Sequence, residues 1–311
     1  MTTHLPRTRT TGLLAFLLLA FGVAWTGMVG ARLLGLSTAD PLVQLPFAFA
    51  PAVAAFVVRR WVTREGFGDA GLALRLRAAW PHYLAAWLGP AVLVAATAGV
   101  AAVSGLWRPS LAPLDAQVDG LPGWALVAVL LLAVPLLTPL YWGEEFGWTA
   151  YLRQRVFPGR PLAATIATGL IWAVWHYPLA FTGYVEFENV LIGLAAWTFS
   201  FVCQEVLLSS LRVRSGTVWT ASLAHAGNNM VLFLLTGVLL GGDGTGLGVT
   251  ATTLLTTVPL ALLSLWVIAT GRLREPVVTG TGSAPRQRAA WPRRARSTGP
   301  RSSARGLRGG G

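Results

Sequence analysis

Eight apolar runs, most of them close to twenty residues long, recur along this 311-residue chain and leave it few ways to fold. About twenty apolar residues span a bilayer as a helix, and a backbone in hydrocarbon must satisfy its own hydrogen bonds. The pattern therefore predicts an all-α, polytopic transmembrane helix bundle of about eight spans. The runs read at residues 12–31, 42–58, 82–105, 124–156 (with an interfacial end), 161–182, 188–210, 216–240 and 250–271. Val29-Gly30-Ala31 loosely fits a signal-cleavage site, but the length of the first run and the spans behind it favour a membrane helix. The single Cys, Cys203, excludes an internal disulfide and any multi-Cys metal site.

Charge sorts the connecting segments. All 24 basic residues are Arg. One set of segments carries Arg7/Arg9, Arg59/Arg60/Arg64/Arg75/Arg77, Arg153/Arg155/Arg160, Arg212/Arg214 and Arg272/Arg274. The alternate set has Arg32 with Asp40, Arg108 with Asp115/Asp119, Glu186/Glu188, and Asp243. The two kinds interleave, as they must if Arg-bearing segments stay on the cytoplasmic side. This predicts a multi-pass protein of the plasma membrane with both termini in the cytoplasm. Residues 276–311 lack any acidic residue and hold eight Arg beyond residue 280, a composition that predicts a disordered basic tail. Its natural partner is anionic membrane lipid, and no nucleic-acid-binding motif is present. The chain divides into N-terminal membrane helices (1–120), a helical core (121–240), a last membrane helix (241–275) and the tail (276–311).

Against this apolar background the adjacent carboxylates Glu144 and Glu145 require a reason, because each costs about 2.5–3.5 kcal/mol to insert. The turn Phe157-Pro158-Gly159-Arg160-Pro161 ends one helix and begins the next. Glu144 lies fourteen residues before Pro158 and His176 fifteen after Pro161. At 1.5 Å per residue both sit about 20 Å from that turn. His225 and Asn229 lie eleven and fifteen residues beyond Arg214, about 16–22 Å in, and share a helix face at i, i+4. Four polar groups from three helices are thus predicted to meet at one depth.

Such a set supports two chemistries. A desolvated carboxylate with His176 can activate a water while His225 and Asn229 donate to an oxyanion. Alternatively, His176, His225 and a Glu can hold a zinc ion that acidifies its bound water. Elsewhere, Gly143 and Gly147 form a small-xxx-small pair suited to close helix packing. Gln204 and Glu205 read as reaching the cytoplasmic interface, with a place on the substrate path as the alternative.

The stretches Glu144-Glu145-Phe146-Gly147-Trp148-Thr149, Trp172-Ala173-Val174-Trp175-His176 and His225-Ala226-Gly227-Asn228-Asn229 resemble, in order, the three motifs of one family. It is the C-a-a-X protease and bacteriocin-processing (CPBP) family of intramembrane endopeptidases, which includes prenyl-protein proteases and bacteriocin self-immunity proteins. The resemblance spans about residues 137–232 and implies that Glu144 activates water with His176 while His225 and Asn229 stabilise the oxyanion. Glu145, Thr149 and Trp172 would support them. Adjacent residues sit about 100° apart on a helix, so only one Glu is expected to point fully into the site, and the family favours Glu144. In the family's first motif an Arg falls where this chain has Thr149. Either another helix supplies the cation, with Arg212 or Arg214 as candidates, or Glu145 is neutral, or catalysis is impaired.

The sequence thus predicts an intramembrane endopeptidase acting on a peptide or protein C-terminus near the membrane. It needs no cofactor on the water reading and zinc on the other. The rival is a non-catalytic immunity or scaffold protein of the same fold that binds peptide without cleaving it.

Overall fold

The computed structural model describes residues 5–241 and 245–274. The predicted tail at 276–311 and Asp243 lie outside the described residues. Among those described there are helices and no strands, and eight helical stretches are long and apolar enough to cross a membrane. The bundle consists of α1 (Leu5–Leu33), α2 (Pro41–Ala48), α3 (Ala50–Val57), α4 (Leu76–Val103), α5 (Ala112–Asp115), α6 (Gly123–Glu145), α7 (Arg153–Val156), α8 (Pro161–His176), α9 (Val190–Ser215), α10 (Val218–Gly227), α11 (Leu234–Leu240) and α12 (Val249–Ala269). The second span is α2 and α3 broken at Phe49, and the seventh is α10 and α11 joined by a π-helical turn. The long fourth run resolves into α6, a π turn at Trp148–Leu152 and the short α7.

The helices end where local chemistry ends them. Gly216 adopts φ +70° and its N–H returns to Arg212 O at 3.1 Å, closing α9. Thr217 then caps α10 by accepting from the Trp219 N–H. Asn189 does the same for α9, and Asp40 for α2.

Segments of the Arg-rich set gather at one end of the bundle. Arg59, fully buried, donates to Asp69 at 2.6 Å and to Ala150 O at 2.7 Å, while Arg155 pairs with both Glu65 and Asp69 at 2.9 Å. Val218 N–H and the Trp219 indole bind the carbonyls of Gly71 and Leu72. Phe67 stacks between Phe56 and Phe146, fastening the same loop from its apolar side. Segments of the other set meet at the opposite end. There Thr38 bonds Thr182, and Glu188 accepts from the first amides of α12. The interleaved charge pattern is therefore a real division between the two ends.

α10 is the innermost helix, packed against α4, α6 and α9. Its small residues Ala221, Ser222, Ala224, Ala226 and Gly227 permit that closeness. A Cβ on Gly227 would stand 2.6 Å from Pro90 of α4. Gly143 and Gly147 admit the α2–α3 break in the same way: a Cβ on Gly147 would lie 2.4 Å from Pro51, so this pair serves packing. The outer faces carry exposed Leu, Val and Trp, as expected where the solvent is lipid.

Candidate active site

The site is built around the last turn of α6. Glu144 is 7% exposed and Glu145 0%. Both side chains enter the interior, contrary to the expectation that only one could. The 100° between them is matched by two neighbours rather than one, α8 on one side and α10 on the other. Glu144 Oε2 accepts the Trp172 indole N–H of α8 at 2.7 Å and that of Trp148 at 3.3 Å. Glu145 Oε1 meets His225 Nδ1 of α10 at 3.0 Å. Trp172 joins the two halves, with its ring edge-on to His225 at 5.0 Å and to His176 at 5.7 Å.

The two histidines are wired differently at Nδ1. His176 Nδ1 lies 3.0 Å from the Trp172 carbonyl, and a carbonyl only accepts. His176 must therefore carry its proton on Nδ1, which leaves Nε2 as a lone pair when the ring is neutral. Its ring is held between Phe201, stacked at 4.4 Å, and Trp175, edge-on at 4.7 Å. His225 instead faces a carboxylate deep in the bundle, the two residues being 2% and 0% exposed. A buried pair of this kind is least costly when its net charge is zero. Two proton arrangements satisfy that condition, imidazolium with carboxylate and imidazole with carboxylic acid. In both, the proton between Nδ1 and Oε1 is shared and Nε2 carries a second one. His225 thus presents an N–H where His176 presents a lone pair.

Asn229 sits in the π turn Asn228–Phe233 and hydrogen-bonds the Tyr141 hydroxyl. Tyr141 also lies against His225, ring centroids 4.9 Å apart. Tyr141 and Glu145 are i, i+4 on α6, and His225 and Asn229 are i, i+4 at the end of α10, so the four close as antiparallel partners. Neighbouring Asn228 turns away and donates to Gln204 at 3.3 Å. The structure thus brings Glu144, Glu145, Trp172, His176, His225 and Asn229 together.

Thr149 is fully buried; its hydroxyl bonds the Glu145 backbone carbonyl at 2.9 Å and lies beside the Glu145 carboxyl group that meets His225. The two Arg proposed from sequence sit elsewhere. Arg214 is exposed, and Arg212 reaches the loop before α4, donating to Asp69 O at 2.8 Å. Gln204 and Glu205 do not reach an interface: they are 4% and 0% exposed. α9 continues ten residues past Glu205 to Ser215, which keeps that carboxylate inside. Glu205 bonds Ser209 and lies within the electrostatic field of Glu145 and Arg153. Sequence reasoning missed Tyr141, Trp148 and the burial of Glu205. The first two were marked only by their i−4 and i+4 spacing from the Glu pair.

Among the described residues, no three His, Cys, Asp or Glu side chains converge at metal-binding spacing.

Two comparisons with known proteins complete the description. Residues 121–231 match the family model described as Type II CAAX prenyl endopeptidase Rce1-like. Among curated proteins no match is found.

Proposed function

We propose that the chain, whose residues 121–231 match the Rce1-like model, is a CPBP-family intramembrane endopeptidase using a Glu-activated water. The observation that carries the reading is the opposite wiring of the two imidazoles. Glu144 and His176 Nε2 are acceptors and form the basic side. His225 Nε2–H and the Asn229 amide are donors and form the side that receives negative charge.

Water placed between these sides gives its proton to Glu144 as its oxygen adds to the scissile carbonyl. The oxyanion is held by His225 and Asn229. When the tetrahedral intermediate collapses, the C–N bond breaks and the proton returns from the Glu144–His176 side to the leaving amine. The Tyr141 hydroxyl, hydrogen-bonded to the Asn229 side chain, fixes that amide beside His225 and leaves an amide N–H for the oxyanion. Glu145 serves this scheme through His225, the role in which a cation at position 149 is dispensable. The reading needs no metal.

The family description supports a prenylated C-a-a-X peptide as substrate class, presented from the Arg-rich end taken as cytoplasmic, in the plasma membrane. The test is cleavage of such a peptide by the purified full chain in proteoliposomes. Turnover should survive a strong zinc chelator and fall by about 10²–10⁴ in Glu144→Gln and in His176→Ala, with melting temperatures unchanged. Retained turnover in both variants would overturn the mechanism. Peptide binding without cleavage, unaffected by Glu144→Gln, would establish the non-catalytic rival.

A further inference from the structure

Between the start of α8 and the end of α12 lies a crevice of about 710 Å³ that the proteolytic reading does not use. Leu162, Ile166, Ile268 and Leu273 form its apolar wall, and Arg160 and Arg274 stand on its rim. Arg153, buried behind it, donates to Leu273 O and to Thr165 Oγ1, both at 3.0 Å. That clamp ties the end of α12 to α8, so the cleft is held by buried hydrogen bonds. Arg272 turns aside onto the Trp266 ring at 4.2 Å. Among the described residues neither Arg160 nor Arg274 is in an ion pair, and no acidic residue lines the crevice.

The crevice opens at the Arg-rich end, where a membrane helix leaves hydrocarbon for the headgroups. Its lower part is therefore at acyl depth and its rim at phosphate depth. Its volume falls within the ~300–1,000 Å³ of specific small-molecule sites. We propose that it binds one anionic phospholipid, the phosphate between Arg160 and Arg274 and an acyl chain along Leu162, Ile166 and Ile268. Charge decides against the chain's own tail as the occupant, because residues 276–311 contain no Asp or Glu and would bring eight Arg to a cationic rim.

The test is native mass spectrometry of the full chain released from nanodiscs containing phosphatidylglycerol and phosphatidylcholine. Compared are the wild type, Arg160→Gln with Arg274→Gln, Ile166→Trp to fill the cleft, and a chain with its eight tail Arg changed to Gln. Phosphatidylglycerol should stay bound preferentially to the wild type and to the tail variant. In the double Arg variant its retention should fall about twenty-fivefold, the product of a roughly fivefold share for each Arg near an anionic surface. Ile166→Trp should lose it as well, which keeps the test decisive if the Arg variant folds poorly. Equal retention of both lipids, retention unchanged in the two crevice variants, or loss in the tail variant alone would overturn the proposal. So would glycerol phosphate competing the lipid off at equal concentration, since that would mark a soluble phosphate ligand.

Discussion

Replacing Trp172 by Phe isolates one interaction of the proposed base. The ring contacts with Phe201 at 4.6 Å and His225 at 5.0 Å can be kept by a six-membered ring, whereas the 2.7 Å N–H bond to Glu144 cannot. A hydrogen bond to a charged group contributes about 1.5–3 kcal/mol. Because the carboxylate retains the weaker 3.3 Å bond from Trp148, the loss should fall on orientation rather than on folding. At 1.36 kcal/mol per tenfold, kcat should drop by about ten- to a hundredfold with KM nearly unchanged. Trp148→Phe, which removes the longer bond, should cost less than tenfold by the same reasoning. The assay is peptide turnover in proteoliposomes, with thermal unfolding of each variant as the control. If Trp148→Phe is as damaging as Trp172→Phe, or if Trp172→Phe is silent in kcat, Glu144 is not the base these distances describe.

Four further outcomes follow from the geometry. Tyr141→Phe removes the hydroxyl on Asn229 while keeping the ring against His225, and a neutral bond of about 1 kcal/mol predicts roughly fivefold lower kcat at constant KM. Thr149→Arg should lose turnover instead of gaining it, since position 149 is fully buried beside the Ala150 carbonyl that Arg59 already binds; unchanged or higher activity would show the site still accepts the family's cation. Asp69→Asn removes the nearer of the two carboxylates paired with buried Arg59, leaving Glu65 at 3.8 Å, and should destabilise by about 1–2 kcal/mol, less than the ~3–5 kcal/mol of a fully buried pair because the Asp69 side chain is 49% exposed. Acid should also loosen both ends of the bundle. The Thr250 hydroxyl, with the first amides of α12, lowers Glu188 from 4.5 to about 2; Asp69 is raised by its partial burial but held below 3.8 by Arg59 and Arg155. Both contributions are complete above the ordinary carboxylate values and vanish as pH falls through the lowered ones. Thermal unfolding should therefore weaken between about pH 4.5 and pH 2, and a flat profile there would refute the two anchors.

Much of this was legible because lipid allows a chain so few options. Run length located all eight spans, with ends off by no more than six residues except in the fourth, whose run continued eleven residues past Glu145; Arg content separated the two ends, since both follow from the bilayer rather than from side-chain detail. The depth count brought acid, imidazole and amide together because the tight Pro158–Pro161 turn sets α6 and α8 antiparallel. Local helix geometry was harder to foresee. Nothing in the composition of Trp148–Leu152 or Asn228–Phe233 announces a π turn, yet one follows the Glu pair and the other carries Asn229. Such turns recur at functional sites because they re-aim side chains that a regular helix would misdirect.

The departure at Thr149 shows how far a single helix can be read by itself. A carboxylate in a membrane requires a partner, and the spacing along α6 identifies an i+4 residue as one way to supply it. It carries no information about partners on other helices. Here the partner is His225, on a helix whose small residues let it approach α6 closely enough for a 3.0 Å contact. Once that contact exists, an Arg at 149 would compete for the same carboxylate and leave His225 free to place its proton on Nδ1. The N–H facing the oxyanion would then be lost. Thr149 and the close packing of α10 are in this sense linked: without a cation at 149 the carboxylate–imidazole pair can form, and the pair keeps the donor that the proposed hydrolysis calls for.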